Sequence, residues 1–177
     1  MMLMNGAPEN KEGRSERELA CYAFLESLGV EYKRVDHPRA DNMEQCKLID
    51  EALGAMICKN LFLCNRQQTA FYLLMIPADK VFKTKDLSAQ IGSARLSFAS
   101  PEQMEALLDV SPGSASVLAL KNDKENRVRL LVDREVAFSE FFGCHPCENT
   151  SSLKLLTNDL FKKILPATGH SPEFVTL

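Results

Sequence analysis

No apolar run in the chain approaches the roughly twenty residues that a membrane helix requires. The first sixteen residues, MMLMNGAPENKEGRSE, also lack a cationic start followed by an apolar core. Neither a membrane span nor a secretory leader is therefore expected, and the cytoplasm is the expected location. Positive charge is not in excess: a formal net charge of -3 gives no general pull toward nucleic acid, so any RNA contact must come from a local basic patch. Lys80, Lys83, Lys85, Lys121, Lys124 and Arg127 could supply one, although scattered surface charge is the commoner meaning of such residues. There is no glycine-rich phosphate loop of the P-loop or dinucleotide type, and no Ser/His/Asp set declares itself by spacing. Nucleophilic catalysis has no support here, and no cofactor is expected. The six cysteines sit in hydrophobic contexts, as at Cys21, Cys46, Cys58 and Cys64, which in a reducing compartment reads as buried thiols and not a disulfide frame.

What the chain does contain is centred on residues 56–80, MICKNLFLCNRQQTAFYLLMIPADK. Two apolar runs, 56–64 and 69–77, flank a polar break at 65–68, the pattern of a β-hairpin in a buried sheet. Lys59 is out of place in it. Alternation puts Lys59 on the face of Ile57, Leu61 and Leu63, where an ammonium group costs several kcal/mol, roughly, unless something anionic meets it. Either Lys59 snorkels to water at the strand entrance, or it faces a pocket whose ligand carries a phosphate or a polarised carbonyl, also met by Asn60.

The length fits one domain: residues 1–13 as a loose arm, then 14–177. Ser15 with Glu18 predicts a capped helix ended by Gly29, and a short β-prone run at 30–35 is closed by Asp36-His37-Pro38. A second helix is expected at 43–53 and a third ending before Gly92. A brief strand at 95–98 follows, then a helix to Leu108 opened by Ser100-Pro101-Glu102-Gln103. Residues 111–114 form a tight turn feeding a strand at 116–121, which residues 122–126 reverse into 128–133 as a second hairpin. A last strand at 153–156 and a closing helix to Leu165 precede a tail that includes His170. Hairpins mixed with non-alternating helices argue for an α+β domain with a mixed, mainly antiparallel sheet surrounded by helices.

Cys144-His145-Pro146-Cys147 suggests a redox pair or half a metal site, yet no clear helix follows it and no second ligand pair exists at comparable spacing; structural thiols and no metal are expected. His145 before a proline sits in a loop, where polar function concentrates, and His37-Pro38 has the same form. In Pro112-Gly113-Ser114-Ala115, glycine and small neighbours would let a ligand approach the backbone and leave amides free to donate.

Leu28-Gly29-Val30 with Val35-Asp36-His37-Pro38, then Cys58-Lys59-Asn60-Leu61-Phe62-Leu63, Gly92 with Arg95-Leu96-Ser97-Phe98-Ala99-Ser100-Pro101-Glu102, Pro112-Gly113-Ser114, Asn122-Asp123, His145-Pro146 with Asn149-Thr150, and Ala167-Thr168-Gly169-His170 run in order along nearly the whole chain. In these residues the sequence resembles the YbaK and prolyl-tRNA-synthetase-associated domain family, in particular its ProXp-ala branch of free-standing alanyl-tRNA(Pro) deacylases. The resemblance implies an α+β fold of the kind just described and hydrolysis in trans of a mischarged aminoacyl-tRNA, with alanyl-tRNA(Pro) as the expected substrate. It implies catalytic roles for Lys59, Gly113, Ser114 and His145, and substrate contacts from Ile57, Asn60, Ala115 and Asn149. Lys59 would hold the terminal adenosine phosphate or the substrate carbonyl, the 113–115 loop would border the aminoacyl group, and His145 and Asn149 would shape the far side. Aminoacyl-tRNA, met at its acceptor end, is the expected partner, prolyl-tRNA synthetase a second candidate, and a monomer the expected state. The sequence departs from the family's pattern at Ser116-Val117 and at Cys144, Cys147 and Glu148. Those positions motivate two other readings: a non-catalytic tRNA-binding or regulatory module, and a thiol redox protein using Cys144 and Cys147.

Overall fold

A computed structural model describes all of residues 1–177. The N-terminal segment expected to be a loose arm is anchored by a strand: β1 (Leu3–Asn5) pairs antiparallel with Tyr32–Asp36, and the Gly6 amide donates to the Tyr32 carbonyl at 3.0 Å. Edge pairing is made by backbone groups, so an apolar period is not needed to produce it. Helix α1 (Glu16–Ser27) starts where the Ser15 hydroxyl accepts the Glu18 amide at 3.2 Å, and β2 (Tyr32–Asp36) follows the left-handed turn at Gly29. The Glu18 carboxylate does not complete a capping box; it is buried in an ion cluster described below. Helix α2 (Met43–Leu53) is capped by Asn42 and ended by Gly54 at φ 63°.

The hairpin forms as the alternation predicts. Strands β3 (Cys58–Asn65) and β4 (Phe71–Pro77) pair antiparallel from Cys58↔Pro77 to Cys64↔Phe71. Helix α3 (Thr84–Ile91), β5 (Leu96–Phe98) and α4 (Pro101–Leu108) come next. The capping box at α4 is complete, with Ser100 and Gln103 exchanging side-chain-to-amide bonds of 3.2 and 2.9 Å.

The second hairpin does not exist. The run 116–121 forms a 3₁₀ helix, Val117–Asn122, because the Ser116 hydroxyl accepts the Leu118 amide at 3.2 Å and residues 117–120 are all buried. A short run apolar on every side carries no period that separates strand from helix. Strand β6 (Val128–Asp133) instead runs parallel to β4 on one side and, on the other, to the C-terminal strand Pro172–Val175. Helix α5 (Arg134–Phe138) then leads to β7 (Phe141–Cys144) and β8 (Ser151–Leu156). The closing helix is composite: α6 (Thr157–Asp159), a π segment (Leu160–Ile164) and α7 (Leu165–Thr168), after which β9 (Pro172–Val175) ends the fold. Pro166 has no amide hydrogen to continue an ordinary ladder through this helix.

The fold is α+β with two sheets: an antiparallel one ordered β1-β2-β8-β7 and a mixed one ordered β5-β3-β4-β6-β9. The mixed sheet is buried on both faces. Cys58, Phe62 and Cys64 point into the larger core shared with α1 and the other sheet, while Leu63, Leu74 and Ile76 point into a smaller core beneath Leu87 of α3. The sheets touch at one bridge, Ile57↔Gly143, where the Gly143 amide donates to the Met56 carbonyl at 2.7 Å. A β-carbon on Gly143 would lie 2.8 Å from Ile57 Cγ1 and 3.0 Å from Leu53 Cδ2, so only glycine permits this approach. His170, expected in a loose tail, is buried: the left-handed Gly169 turns the chain inward and His170 Nε2 meets Asp123 Oδ2 at 2.8 Å.

Candidate active site

Beside that bridge lies a cavity of about 420 Å³. The start of β3, the last turns of α2, the 112–115 turn and the loop between β7 and β8 form its walls. Of the eight residues that the sequence nominated, it gathers seven: Ile57, Lys59, Asn60, Gly113, Ala115, His145 and Asn149. Ser114 is the exception, since it lies beneath the turn, 1 % exposed, with its hydroxyl unpartnered.

Strand alternation sends Lys59 and Asn60 to opposite sides of β3, and the cavity wraps around the strand's end to reach both. Lys59 is half-buried, and its Nζ donates to the Lys80 carbonyl at 2.9 Å, which leaves two of its three N–H groups available. Lys80 in turn is neutralised by Asp133 and Glu135, each at 3.0 Å, so it is not free to meet phosphate. The amides of Gly113 and Ala115 make no hydrogen bond within the chain, whereas that of Ser114 is spent on the Ser111 carbonyl. Gly113 sits at φ 85°, a conformation that disfavours any side chain, and Arg39 braces the turn by donating to the Pro112 carbonyl at 3.1 Å.

Five buried polar atoms in the protein lack a partner, and three of them, on Asp50, Asn60 and Asn149, belong to residues lining this cavity. Buried polar groups are ordinarily satisfied, so this concentration marks polar groups that the chain leaves available to a ligand.

The histidine wall is ordered by a directed hydrogen-bond chain. His145 Nδ1 lies 2.8 Å from the Ser151 carbonyl, which only accepts, so the proton is on Nδ1 and Nε2 is left as a bare acceptor. Burial lowers the His145 pKa and keeps the ring neutral, with the bond to Ser151 opposing and His37 assisting. His37 Nδ1 likewise donates to the Pro38 carbonyl at 2.8 Å, so its Nε2 accepts the Ser152 hydroxyl at 2.9 Å. Ser152 also lies 3.4 Å from His145 Nδ1, and the two rings stand 6.0 Å apart. His37 and Ser152 were not nominated from the sequence; the His37-Pro38 repeat of the His145-Pro146 form was the one signal of their link.

Ser151 ties this wall to a buried ion cluster. Its hydroxyl donates to Asp36 at 2.7 Å and to Glu18 at 3.1 Å, and Arg14 bonds both carboxylates at 2.7 and 2.5 Å. Burial pulls the Asp36 carboxyl up, but hydrogen bonds from Arg14, Arg34 and Ser151 outweigh it and hold it down to about 2.

The departures at Cys144, Cys147 and Glu148 fall outside the cavity wall. Cys147 packs against Cys21 with the sulfurs 3.3 Å apart, so it does not pair with Cys144. Burial drives the Cys144 thiol up, and Cys58 up to about 12. Thiols held that high carry little of the thiolate that redox chemistry needs.

A model of the aminoacyl-tRNA editing domain matches residues 37–163, a span that includes every wall of this cavity. The chain belongs to the aminoacyl-tRNA editing domain family. Among curated relatives of this editing domain, the prolyl-tRNA editing protein ProX of Acetoanaerobium sticklandii is 29% identical over 158 residues, covering 89% of this chain and 96% of that protein. The prolyl-tRNA synthetase associated domain-containing protein 1 of Bos taurus is 30% identical over 166 residues, covering 89% and 94%. A solved structure presented as a candidate trans-editing enzyme for prolyl-tRNA synthetase superposes with a TM-score of 0.67 at 16% identity, covering 92% of this chain and 98% of that chain, a likeness of fold.

Proposed function

We propose that this editing domain hydrolyses the ester of a mischarged aminoacyl-tRNA in trans, with alanyl-tRNA(Pro) as its substrate. The observation that carries the reading is the collection of unpaired donors and acceptors around one cavity: the amides of Gly113 and Ala115, the spare N–H groups of Lys59, and the bare Nε2 of His145. An aminoacyl ester is already reactive, so a held water and fixed donors for the developing oxyanion suffice without a protein nucleophile. In this scheme His145 Nε2 accepts a proton from the attacking water, helped by its neutrality, or orients that water toward the carbonyl. Gly113 and Ala115 amides face the carbonyl oxygen, and Lys59 meets that oxygen or the phosphate of the terminal adenosine. Asn60 and Asn149 offer amide oxygens that have no partner in the chain to the ribose hydroxyls. Ser114 supports the turn from below.

Selecting alanine over proline is a question of size, which binding alone separates by about 1–3 kcal/mol per methylene. Ile49, Ile57, Phe62 and Met104 give the cavity the apolar walls that a sieve needs. Prolyl-tRNA synthetase, a partner suggested by the names of the relatives, would supply the mischarged substrate.

The test is release of alanine from alanyl-tRNA(Pro), beside seryl-, cysteinyl- and prolyl-tRNA. Wild-type protein is expected to accelerate the alanyl reaction far above buffer, and Lys59→Ala to remove about 10²-fold or more of that gain. Equal rates for both proteins would overturn the reading. Salt-dependent tRNA binding without turnover would select the non-catalytic alternative.

A further inference from the structure

We propose that Asp50 is the subsite for the substrate's free α-ammonium group, so that this domain acts on aminoacyl-tRNA with an unblocked amine and spares N-acylated species. The inference rests on the editing reading above and adds to it a requirement on the substrate.

Asp50 is the sole acidic residue lining the cavity. Its carboxylate accepts no hydrogen bond and joins no ion pair in the chain, and Oδ1 is sealed from solvent without a donor. The other carboxylates drawn into this fold are treated differently: Glu18 and Asp36 meet Arg14, Asp123 meets His170, and Asp133 meets Lys80. A carboxylate with one oxygen sealed from water and no partner is costly, and its persistence at one place, inside the ligand cavity, points to a cation that arrives with the ligand. Lys59 does not provide that cation, since it makes no ion pair and is bonded to the Lys80 carbonyl.

The substrate class supplies what is missing. Every aminoacyl ester carries an amine on the carbon next to its carbonyl, and with an α-amino pKa of roughly 7.7–8.0 that amine is largely cationic at neutral pH. Helix α2 places Cys46, Ile49 and Asp50 together on the cavity wall, an i, i+3, i+4 face. Ile49 is thus an apolar neighbour for a small side chain, with the acid beside it. Gly113 and Ala115, whose amides are unbonded within the chain, line the same cavity. The three substituents of one α-carbon, side chain, ammonium and carbonyl, therefore find three chemically matched surfaces.

The test uses two non-hydrolysable probes, 3′-alanylamino-adenosine and its N-acetyl derivative, titrated calorimetrically into the full-length protein. Alanine release from alanyl-tRNA(Pro) and from N-acetylalanyl-tRNA(Pro) is measured in parallel. Wild-type protein is expected to bind the free amine at least tenfold more tightly than the acetylated probe, and Asp50→Asn, a near-isosteric change, to bring the two within about twofold. Asp50→Asn should melt no lower than wild type, because it removes an unpaired charge and no contact. Equal affinities in wild type, or a preference that survives in Asp50→Asn, would overturn the subsite whatever the hydrolysis rates. An intact, Asp50-dependent preference without hydrolysis of either tRNA would instead sink the editing reading and uphold the subsite.

Discussion

Ser152 is the part of the site that links its two rings. Its hydroxyl donates to His37 Nε2 and stands within 3.4 Å of His145 Nδ1, so Ser152→Ala unties His37 and leaves His145 held by the Ser151 carbonyl alone. A loss of about tenfold in kcat with little change in KM is expected, since small errors of placement are felt at the chemical step and not in overall binding. His145 adds a pH signature. The acceptor role proposed for it requires neutral Nε2, and burial lowers its pKa, so activity should be full at neutral pH and fall only as pH drops through a value under the ordinary 6.5. Stopped-flow profiles of kcat would show this limb, and it should vanish in His145→Gln; a limb unchanged in that variant would assign it to another group, Asp50 first among them. Gly143 governs the same region through space instead of charge. Gly143→Ala puts a carbon 2.8 Å from Ile57 Cγ1 at the join of the two sheets and is expected to cost about 1–3 kcal/mol, read as a lower urea midpoint at unchanged slope.

At the scale of elements, α1, β2 and β8 are joined by the cluster of Arg14, Glu18, Arg34, Asp36 and Ser151 more than by strand pairing alone. Arg14→Met removes the cation shared by two carboxylates, one of them only 2% exposed, and should cost about 3 kcal/mol in urea unfolding. A variant as stable as wild type would show that Arg34 at Asp36 and the Tyr22 and Ser151 hydroxyls at Glu18 suffice without it. How far these elements were readable in the sequence follows from what builds them. The helices with local start or stop signals, Ser15, Gly54, Ser100 and Gly92, were legible because caps act within four residues, whereas the Asn42 cap of α2 went unread. The 56–77 hairpin was legible because its break interrupts two apolar runs. The parallel seat of β6 and strand β9 were not, since each is fixed by partners remote in the chain; the run at Val117–Asn122 is apolar on every side, and β7 is four residues, Phe-Phe-Gly-Cys, with no alternation to mark it. The site divides in the same way. Lys59, Asn60, Gly113 and His145 stood out as residues odd for their surroundings or set in turns. Ser152 reaches His37 only because β2 and β8 align Val35 with Ser152, a register that no local pattern encodes.

For the whole molecule, the two carboxylates with opposite shifts set how stability depends on acidity. Asp36 is held near 2, below its ordinary 3.8, so its contribution is complete above pH 4 and is lost as pH falls toward 2. Asp50 works in the other direction: burial, with like charge from Asp79 and Glu51, lifts it to about 6, so the folded state prefers it protonated. As pH rises from about 4 through 6 the folded protein must carry an unwelcome charge that the unfolded chain carries freely, and stability falls. These two groups alone put the maximum near pH 4. Allowing for its partial exposure, Asp50 should cost about 1–2 kcal/mol above pH 6, or several degrees in Tm for a chain of this length. Comparing wild type with Asp50→Asn reads that effect, because the substitution removes this ionisation, including its repulsion with Asp79 and Glu51, and leaves the other groups in place. The melting temperature of wild type should fall relative to the variant between pH 5 and pH 7.5, and a gap that stays constant across that range would show that the carboxyl ionises as it does in water. Because an ammonium-bearing ligand would neutralise this charge, adding 3′-alanylamino-adenosine at pH 7.5 should raise the wild-type melting temperature more than that of the variant. The instability at neutral pH and the recognition of the amine would then have one physical origin, a carboxylate to which the chain itself gives no partner.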